Sequence, residues 1–249
     1  MQREQSEKAR EQDEKVAARK ADEAATGKKR RGRKPQVGNH EVSEEAKANV
    51  TDPESRIMKT RKGWVQGYNA QAVVTEDQVI VAAAVTQDRN DVEQLKPMLA
   101  LAWANMALVE EDPKLGVALA DAGYWSEGND GVATEDCELL IATRKDWKQR
   151  QAMQEQAAPR GRIPKGLSAR ARMERKLLTK RGKTLYKKRG QTVEPVFGQM
   201  KGTQGADEFR MRGLDLCNGE WNLHSATHNL KKLHSKCVQM GKKGTKWLN

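Results

Sequence analysis

The sequence has few cysteines, few aromatics and no long apolar run. Its three cysteines, Cys137, Cys217 and Cys237, are odd in number and widely spaced. That argues against a disulfide framework and suits reduced thiols in the cytoplasm. No apolar stretch approaches the ~20 residues a membrane-spanning helix needs. The Gln-, Glu- and Lys-rich start has no apolar signal core, so no membrane partner is expected. Aromatic residues are 4% of the chain and form no stacking motif, which gives little support to an RNA-binding protein.

What is abundant is charge. Lys+Arg number 46 against 34 Asp+Glu, a formal net charge of +12. Charged residues are 32% and hydrophobic ones 37%, so part of the chain cannot bury itself. The surplus of cations implies a polyanionic partner. With 249 residues, one large domain or two small ones have room for a sizeable core.

Met1 to Thr26 has high helix propensity and almost no apolar residues, so it predicts a solvated charged helix. Gly27 to Pro35 is a basic run. Within it Arg31-Gly-Arg-Lys-Pro35 resembles the core of an AT-hook, in which Arg31 and Arg33 would enter a narrow A·T minor groove. A basic linker that only neutralises phosphate is the plainer reading. Residues 1–35 form this charged segment, 36–62 a linker, 63–240 a core and 241–249 a basic tail.

In the core, Trp64 to Val74 and Gln78 to Thr86 are strand-like, with Thr75-Glu-Asp77 as a tight connection. Asn90 or Asp91 can cap a helix over about Val92 to Met106. Leu115 to Ala120 and Glu138 to Thr143 read as buried strands. A basic, poorly apolar insertion follows at about 144–185. It holds a loop from Pro159 to Gly166, then a helix capped by Ser168 and ended near Arg181 by Gly182. Arg160, Arg162, Lys165, Arg170 and Arg175 would position DNA phosphates there.

Two stretches carry chemistry. In Tyr186 to Lys201, Val193, Val196, Phe197 and Met200 fall at offsets 0, 3, 4 and 7, a buried helical stripe. Thr192 is a plausible N-cap, and Pro195 falls in the first turn. Glu194 then sits at the rim of a core, with Tyr186, Arg189 and Lys201 near it in sequence. In Val117 to Glu127, a short apolar run ends on Asp121 before Ala-Gly breaks the strand. Strand ends are where ligands gather in α/β sheets. Two such carboxylates suit a divalent metal, and the cations suit DNA phosphates. The plainer alternatives are an amphipathic helix with ordinary edge charges and a turn Asp serving backbone N–H groups.

Together, Ala120-Asp-Ala-Gly-Tyr-Trp-Ser-Glu127 and Tyr186…Arg189…Glu194…Lys201 resemble the DDE transposases of bacterial insertion sequences, in their IS1182-like group within the IS4/IS5 type. Asp52-Pro-Glu-Ser-Arg-Ile-Met-Lys59 and Gly67-Tyr-Asn-Ala-Gln71 look like the start of that family's C-terminal catalytic segment. The resemblance implies an α/β, ribonuclease H-like core carrying a helical basic insertion. It implies Asp121 and Glu194 as catalytic residues and ligands of Mg²⁺ or Mn²⁺. It implies double-stranded DNA, transposon ends and target, as partner, with Tyr186, Arg189 and Lys201 contacting it, and a homo-oligomer when complete. The family's first carboxylate lies on a first strand, and nothing before Trp64 reads as that strand. Asp52 reads instead as a turn or cap. The expectation is a truncated transposase that cannot cut alone. A non-enzymatic basic DNA-binding protein derived from a transposase is the competing reading.

After Lys201, Glu220 to Lys236 reads as a packing helix through Trp221, Leu223, Ala226, Leu230 and Leu233. His224 and His228 stand at i and i+4, but the CxxC pairing of a zinc site is absent. Packing or surface roles are expected for both.

Overall fold

The computed structural model describes residues 2–27, 29, 34–41, 49–60, 63–164 and 166–244. Arg31, Arg33 and Lys165 lie outside the described residues. The chain forms two compact units, Met1–Pro53 and Glu54–Asn249.

The first unit is built on α1 (Gln2–Thr26). It has no apolar face, and charge pairs one turn apart run along it, Arg19 with Glu23 at 2.9 Å and Lys15 with Glu11 at 3.6 Å. The segment after the helix folds back on it. Asp13 accepts from the Gly38 N–H at 2.8 Å and lies 3.1 Å from His40 Nε2.

The second unit is mixed α/β. Its strands are β1 (Arg56–Thr60), β2 (Gly63–Gly67), β3 (Asn69–Val74), β4 (Ile80–Thr86), β5 (Gly116–Ala120) and β6 (Cys137–Ile141). Its helices are α2 (Leu95–Met106), α3 (Glu127–Asp130), α4 (Asp146–Glu155), α5 (Ala169–Leu178), α6 (Lys180–Gln204) and α7 (Leu214–Gly244). The strands pair as three separate two-stranded ladders: β1–β2 and β3–β4 antiparallel, β5–β6 parallel.

The expected hairpin is present as β3–β4. The expected single strand from Trp64 to Val74 is instead broken at Tyr68, whose ring meets Phe209 edge-on at 6.2 Å. Its first half, β2, pairs back onto β1, inside the stretch expected to be linker. Alternation alone could not show this, because that ladder is largely exposed: Ile57 is 52% and Trp64 69% accessible.

Three packed clusters fix the rest. Leu139, Leu140 and Ile141 of β6 pack with Met173 and Leu177 of α5 and Tyr186 of α6. Ile80, Ala83 and Val85 of β4 pack with Val196 and Met200 of α6 and Cys217 and Trp221 of α7. Ala82, on the other face of β4, packs with Met98 and Ala102 of α2. Thus α2 and the α6–α7 pair cover opposite faces of the hairpin.

Three helix expectations need correction. The helix capped by Ser168 ends at Leu178, not near Arg181, because Thr179 turns the chain and caps α6 by accepting from the Gly182 N–H at 2.9 Å. Gly182 is therefore not a helix end. It sits in the first turn of α6, where a Cβ would lie 2.1 Å from the Lys176 carbonyl oxygen.

Thr192 is not an N-cap, and Pro195 is not in a first turn; both lie inside the 25-residue α6. The Thr192 hydroxyl donates to the carbonyls of Lys188 and Arg189. Pro195 leaves the Gln191 carbonyl without its helical N–H, and the Gln78 side-chain amide donates to it at 2.9 Å.

On α7 the buried stripe is Cys217, Trp221, Ser225 and His228, whereas Leu223, Leu230 and Leu233 are 68%, 65% and 60% exposed. His228 is buried with Nε2 2.8 Å from the Gln78 carbonyl oxygen, and His224 Nδ1 lies 3.3 Å from Gln204 Oε1.

Candidate active site

Asp121 stands where β5 ends. Its backbone is extended (φ −80°, ψ −178°), and its carboxylate caps the following 3₁₀ turn by accepting from the Gly123 N–H at 2.8 Å. The turn role raised as the plainer alternative is thus real. It occupies one oxygen and leaves Oδ2 4.0 Å from Arg189 Nη1.

Arg189 reaches this point from α6. Its side chain is 14% exposed, donates from Nη2 to Asp146 Oδ1 at 3.0 Å and lies 5.6 Å from the centre of the Tyr186 ring. The ring is a platform for the guanidinium. Burial pushes the Tyr186 phenol up, and the nearby Asp146 and Asp121 charges add to that against the pull of Arg189. Its hydroxyl is buried with no hydrogen-bond partner among the described residues.

Asp146, in the first turn of α4, also binds Arg150 at 2.8 Å, and Arg150 binds Glu194 Oε1 at 3.1 Å. Asp121, Arg189, Asp146, Arg150 and Glu194 therefore form one alternating ladder across β5, α4 and α6. It borders a cleft of about 540 Å³ lined by Arg150, Lys183, Lys187 and Arg189 against Asp146 and Glu194. Four cations against two carboxylates make the cleft electropositive, as a phosphate-holding surface must be.

Sequence reasoning missed Asp146 and Arg150 because the insertion's composition hid a helix that opens with them. It also missed Asp91. That residue makes no side-chain cap bond. Its Oδ1 accepts from Asn69 Nδ2 and Gln71 Nε2, both at 2.8 Å. Gln71 Oε1 in turn accepts from the Tyr124 hydroxyl. Burial, then the Asp91 and Asp121 charges, push the Tyr124 phenol well above its ordinary value. A Cβ at Gly123 would stand 3.0 Å from both Asp121 Oδ1 and Asp91 Oδ2, so glycine lets the two carboxylates face one spot. The signal was available: Asn69 and Gln71, two apart, are polar residues on one face of an otherwise apolar strand.

The remaining expected DNA contacts are not gathered here. Lys201 is exposed, 5.8 Å from the centre of the Phe197 ring, and does not line the cleft. Arg170 donates to the Thr143 carbonyl at 2.6 Å and pairs with Glu174 at 3.7 Å. Arg160 and Arg162 are exposed on a loop whose carbonyls accept from Arg175 Nη2 at 2.7 and 3.3 Å. Arg175 is thus a staple of that loop rather than a free cation.

A divalent ion does not fit this donor set as folded. Glu194 carries Arg150 and Asp121 faces Arg189, so guanidinium groups stand where a cation would go. Among the described residues, no three His, Cys, Asp or Glu side chains are grouped to hold a metal.

Residues 142–234 match a family model described as a transposase DDE domain. The match supports a DDE transposase, a family that generally uses divalent metal ions and acts on DNA. It contains Asp146, Arg150, Tyr186, Arg189 and Glu194; Asp91 and Asp121 precede it. No curated protein and no solved structure matches the chain. No helix among the described residues is long and apolar enough to cross a membrane.

Proposed function

We propose that this chain is a transposase component that holds double-stranded DNA, transposon ends and target, on the electropositive cleft between α4 and α6. Arg189 and Tyr186 line that cleft, and Asp121 and Glu194 are the carboxylates of the reaction centre. The reaction class is DNA strand cleavage and strand transfer in insertion-sequence transposition. The core at 63–240 is read as ribonuclease H-like, with the insertion at about 144–185, and the protein as a cytoplasmic homo-oligomer. The observation that carries this is the Asp121–Arg189–Asp146–Arg150–Glu194 ladder, four of whose five members lie in the family-matched span.

The ladder also shapes what the chain can do alone. Phosphate oxygens compete with Asp146, Asp121 and Glu194 for the same two guanidinium groups. DNA on the cleft would draw Arg150 and Arg189 away and release the carboxylates. Among the described residues no three acidic side chains are grouped to hold a metal, so the chain by itself is expected to bind DNA without cutting it.

The arginine-saturated carboxylates equally favour the second reading, a non-enzymatic DNA-binding protein derived from a transposase. Asp121→Ala and Glu194→Ala separate the two. In strand-transfer assays with Mg²⁺ or Mn²⁺ and a complemented system, a reaction-centre role predicts activity lost with duplex binding kept. If both variants leave transfer unchanged, the reaction-centre reading is wrong and DNA binding alone remains.

A further inference from the structure

Helix α2 is apolar on every side. Of its 12 residues only Lys96 and Asn105 are polar. One face is spent on the chain's own core: Leu95, Met98 and Ala102 are buried, the last two against Ala82 of β4. The opposite face is Ala100, Trp103, Ala104 and the capping Ala107, at offsets 0, 3, 4 and 7, and all four are exposed. Trp103 is 52% accessible, and Leu108 and Val109 just beyond the helix are 83% and 86%. A helix that is hydrophobic all round is ordinarily covered all round. Three alanines beside one tryptophan leave a shallow groove that a second helix can approach closely.

Helix α7 has the reciprocal feature. Its hold on this chain ends at the start of β4. There the Asn229 side chain bonds both the N–H and the carbonyl of Ile80 at 2.8 Å, and Lys232 donates to the Gln78 side chain. Every residue from Leu233 to Met240 is exposed, yet the helix continues to Gly244. A few free turns of helix are marginal in water. Leu230, Leu233, Cys237 and Met240 fall at offsets 0, 3, 7 and 10, one apolar stripe. The overhang from Leu233 to Gly244 and α2 are equal in length, about 18 Å at ~1.5 Å per residue.

Charge sets the direction in which the two faces meet. Glu110, Glu111 and Asp112 follow α2 directly and are exposed, with Lys114 4.0 Å from Asp112. Acids just past a helix C-terminus are the unfavourable sign for its dipole. From Trp221 to Met240 there is no acid, while Lys231 and Lys236 are exposed beside the apolar stripe. Both helices run toward the β3–β4 turn, because α2 ends with Asn105 donating to the Val81 carbonyl at 2.8 Å. Two copies set turn to turn would lay the overhang of each antiparallel along α2 of the other, with its lysines over the three acids.

We propose that the outer face of α2 is the docking site for α7 of a second copy of this chain, in a two-fold dimer that makes the contact twice. The matching apolar stripe, the equal length and the opposite charge identify the occupant. The inference rests on the homo-oligomer reading. It needs neither DNA nor the reaction centre, so the cleft could fail while the dimer stands.

The test follows the whole chain and two charge variants by sedimentation equilibrium. One variant is Glu110→Lys with Glu111→Lys, the other Lys231→Glu with Lys236→Glu. All four side chains are exposed, so circular dichroism should match the parent. Each variant alone sets like charges against each other and is expected to dissociate about tenfold more readily. Mixed in equal amounts, the two form a heterodimer in which both contacts are complementary, and its dissociation constant is expected within about threefold of the parent's. A mixture no tighter than either variant alone overturns the proposal and leaves the homo-oligomer standing. A parent that stays monomeric at about 100 μM overturns both. Placement is read with a short bismaleimide on Ala104→Cys, which is expected to join the introduced thiol to the exposed Cys237 of the other copy. Cys237 joined only to Cys237 would mean that α7 pairs with α7, and the contact on α2 falls.

Discussion

Arg150 reaches from α4 to bind Glu194 on α6 at 3.1 Å, across forty-four residues of sequence. Both side chains are more than half exposed, 56% and 59%. The pair is therefore worth little to stability, ~0–1 kcal/mol. Its consequence lies in ligand binding. Arg150→Ala is expected to leave the unfolding midpoint almost unchanged, to weaken duplex DNA binding several-fold and to lower the salt slope by about one. Glu194→Gln should do the reverse to affinity, because it removes a negative charge from the cleft and frees Arg150 for phosphate. Fluorescence anisotropy on a labelled duplex at three salt concentrations reads both. Weakened binding in both variants would mean that the pair is needed intact.

Gln78 ties three elements together from the β3–β4 turn. Its backbone holds φ +63°. Its carbonyl oxygen lies 2.8 Å from His228 Nε2, and its side-chain oxygen accepts from Lys232. Its amide nitrogen serves the Gln191 carbonyl that Pro195 leaves open. Gln78→Gly suits the backbone but deletes the side chain, so it mixes two effects of opposite sign. The cleaner experiment is a double-mutant cycle between Gln78→Ala and Pro195→Ala. Pro195→Ala restores the helical N–H and is expected to stabilise by more than about 1 kcal/mol, given the ~3 kcal/mol cost of an interior proline. Gln78→Ala should cost about 0.5–1 kcal/mol less in that background. Urea denaturation measures the coupling, and strict additivity would show that the Gln78 amide does not support the helix.

The sequence made the two ends of the site legible and hid the middle. Asp121 closes a short apolar run and Glu194 rides on a period-3.6 stripe, so local pattern marks each position, while reading the two as one site came from the family resemblance. Asp146 and Arg150 lie in a segment whose charge and lack of apolar residues resemble solvated linker, and only the tertiary approach of α4 to α6 gives them partners. The α7 error has the same cause. A Leu at helical spacing looks like core, yet the face that docks carries Cys217, Trp221, Ser225 and His228. Ser225 satisfies itself on the Trp221 carbonyl at 2.9 Å and His228 on Gln78 at 2.8 Å. Polar residues with local partners can go inside, and hydropathy cannot see those partners.

Glu174 supplies an acid-sensitive clamp between α5 and the end of β6. Burial acts to raise its carboxyl pKa, but the hydrogen bonds from Arg144 and Thr143 and the charges of Arg144 and Arg170 outweigh it, so the net direction is down. A depressed folded value stabilises the native state above the ordinary glutamate range of about 4.3. That contribution is lost as pH falls through the lower folded value. Glu174→Gln is therefore expected to lower stability at pH 7 and to narrow its gap to the parent as pH drops from about 5 to 3. Thermal melts at four pH values follow the gap, and one that stays constant through the acid range would remove the assigned cause.

The exposed leucines of α7 have a spacing of their own. Leu216, Leu223 and Leu230 recur every seven residues, Ala226 and Leu233 follow three places after Leu223 and Leu230, and Met240 falls seven beyond Leu233. Leu216, Leu223, Leu230, Leu233 and Met240 are 60–68% accessible. A seven-residue apolar repeat on a 31-residue helix is the pattern of a two-helix seam. Its face is separate from the Cys217–Trp221–His228 stripe that packs into this chain's own core. The proposed homo-oligomer would then pair through α7. Leu223→Glu with Leu230→Glu would place two charges in the seam while leaving the buried stripe untouched. Sedimentation equilibrium is expected to show a parent dimer and a variant dissociating at least tenfold more readily, with the two circular dichroism spectra alike. A parent that stays monomeric at about 100 μM, a dissociation constant weaker than some −5 kcal/mol of association, would leave the leucines as an ordinary exposed stripe and move the oligomer contact elsewhere.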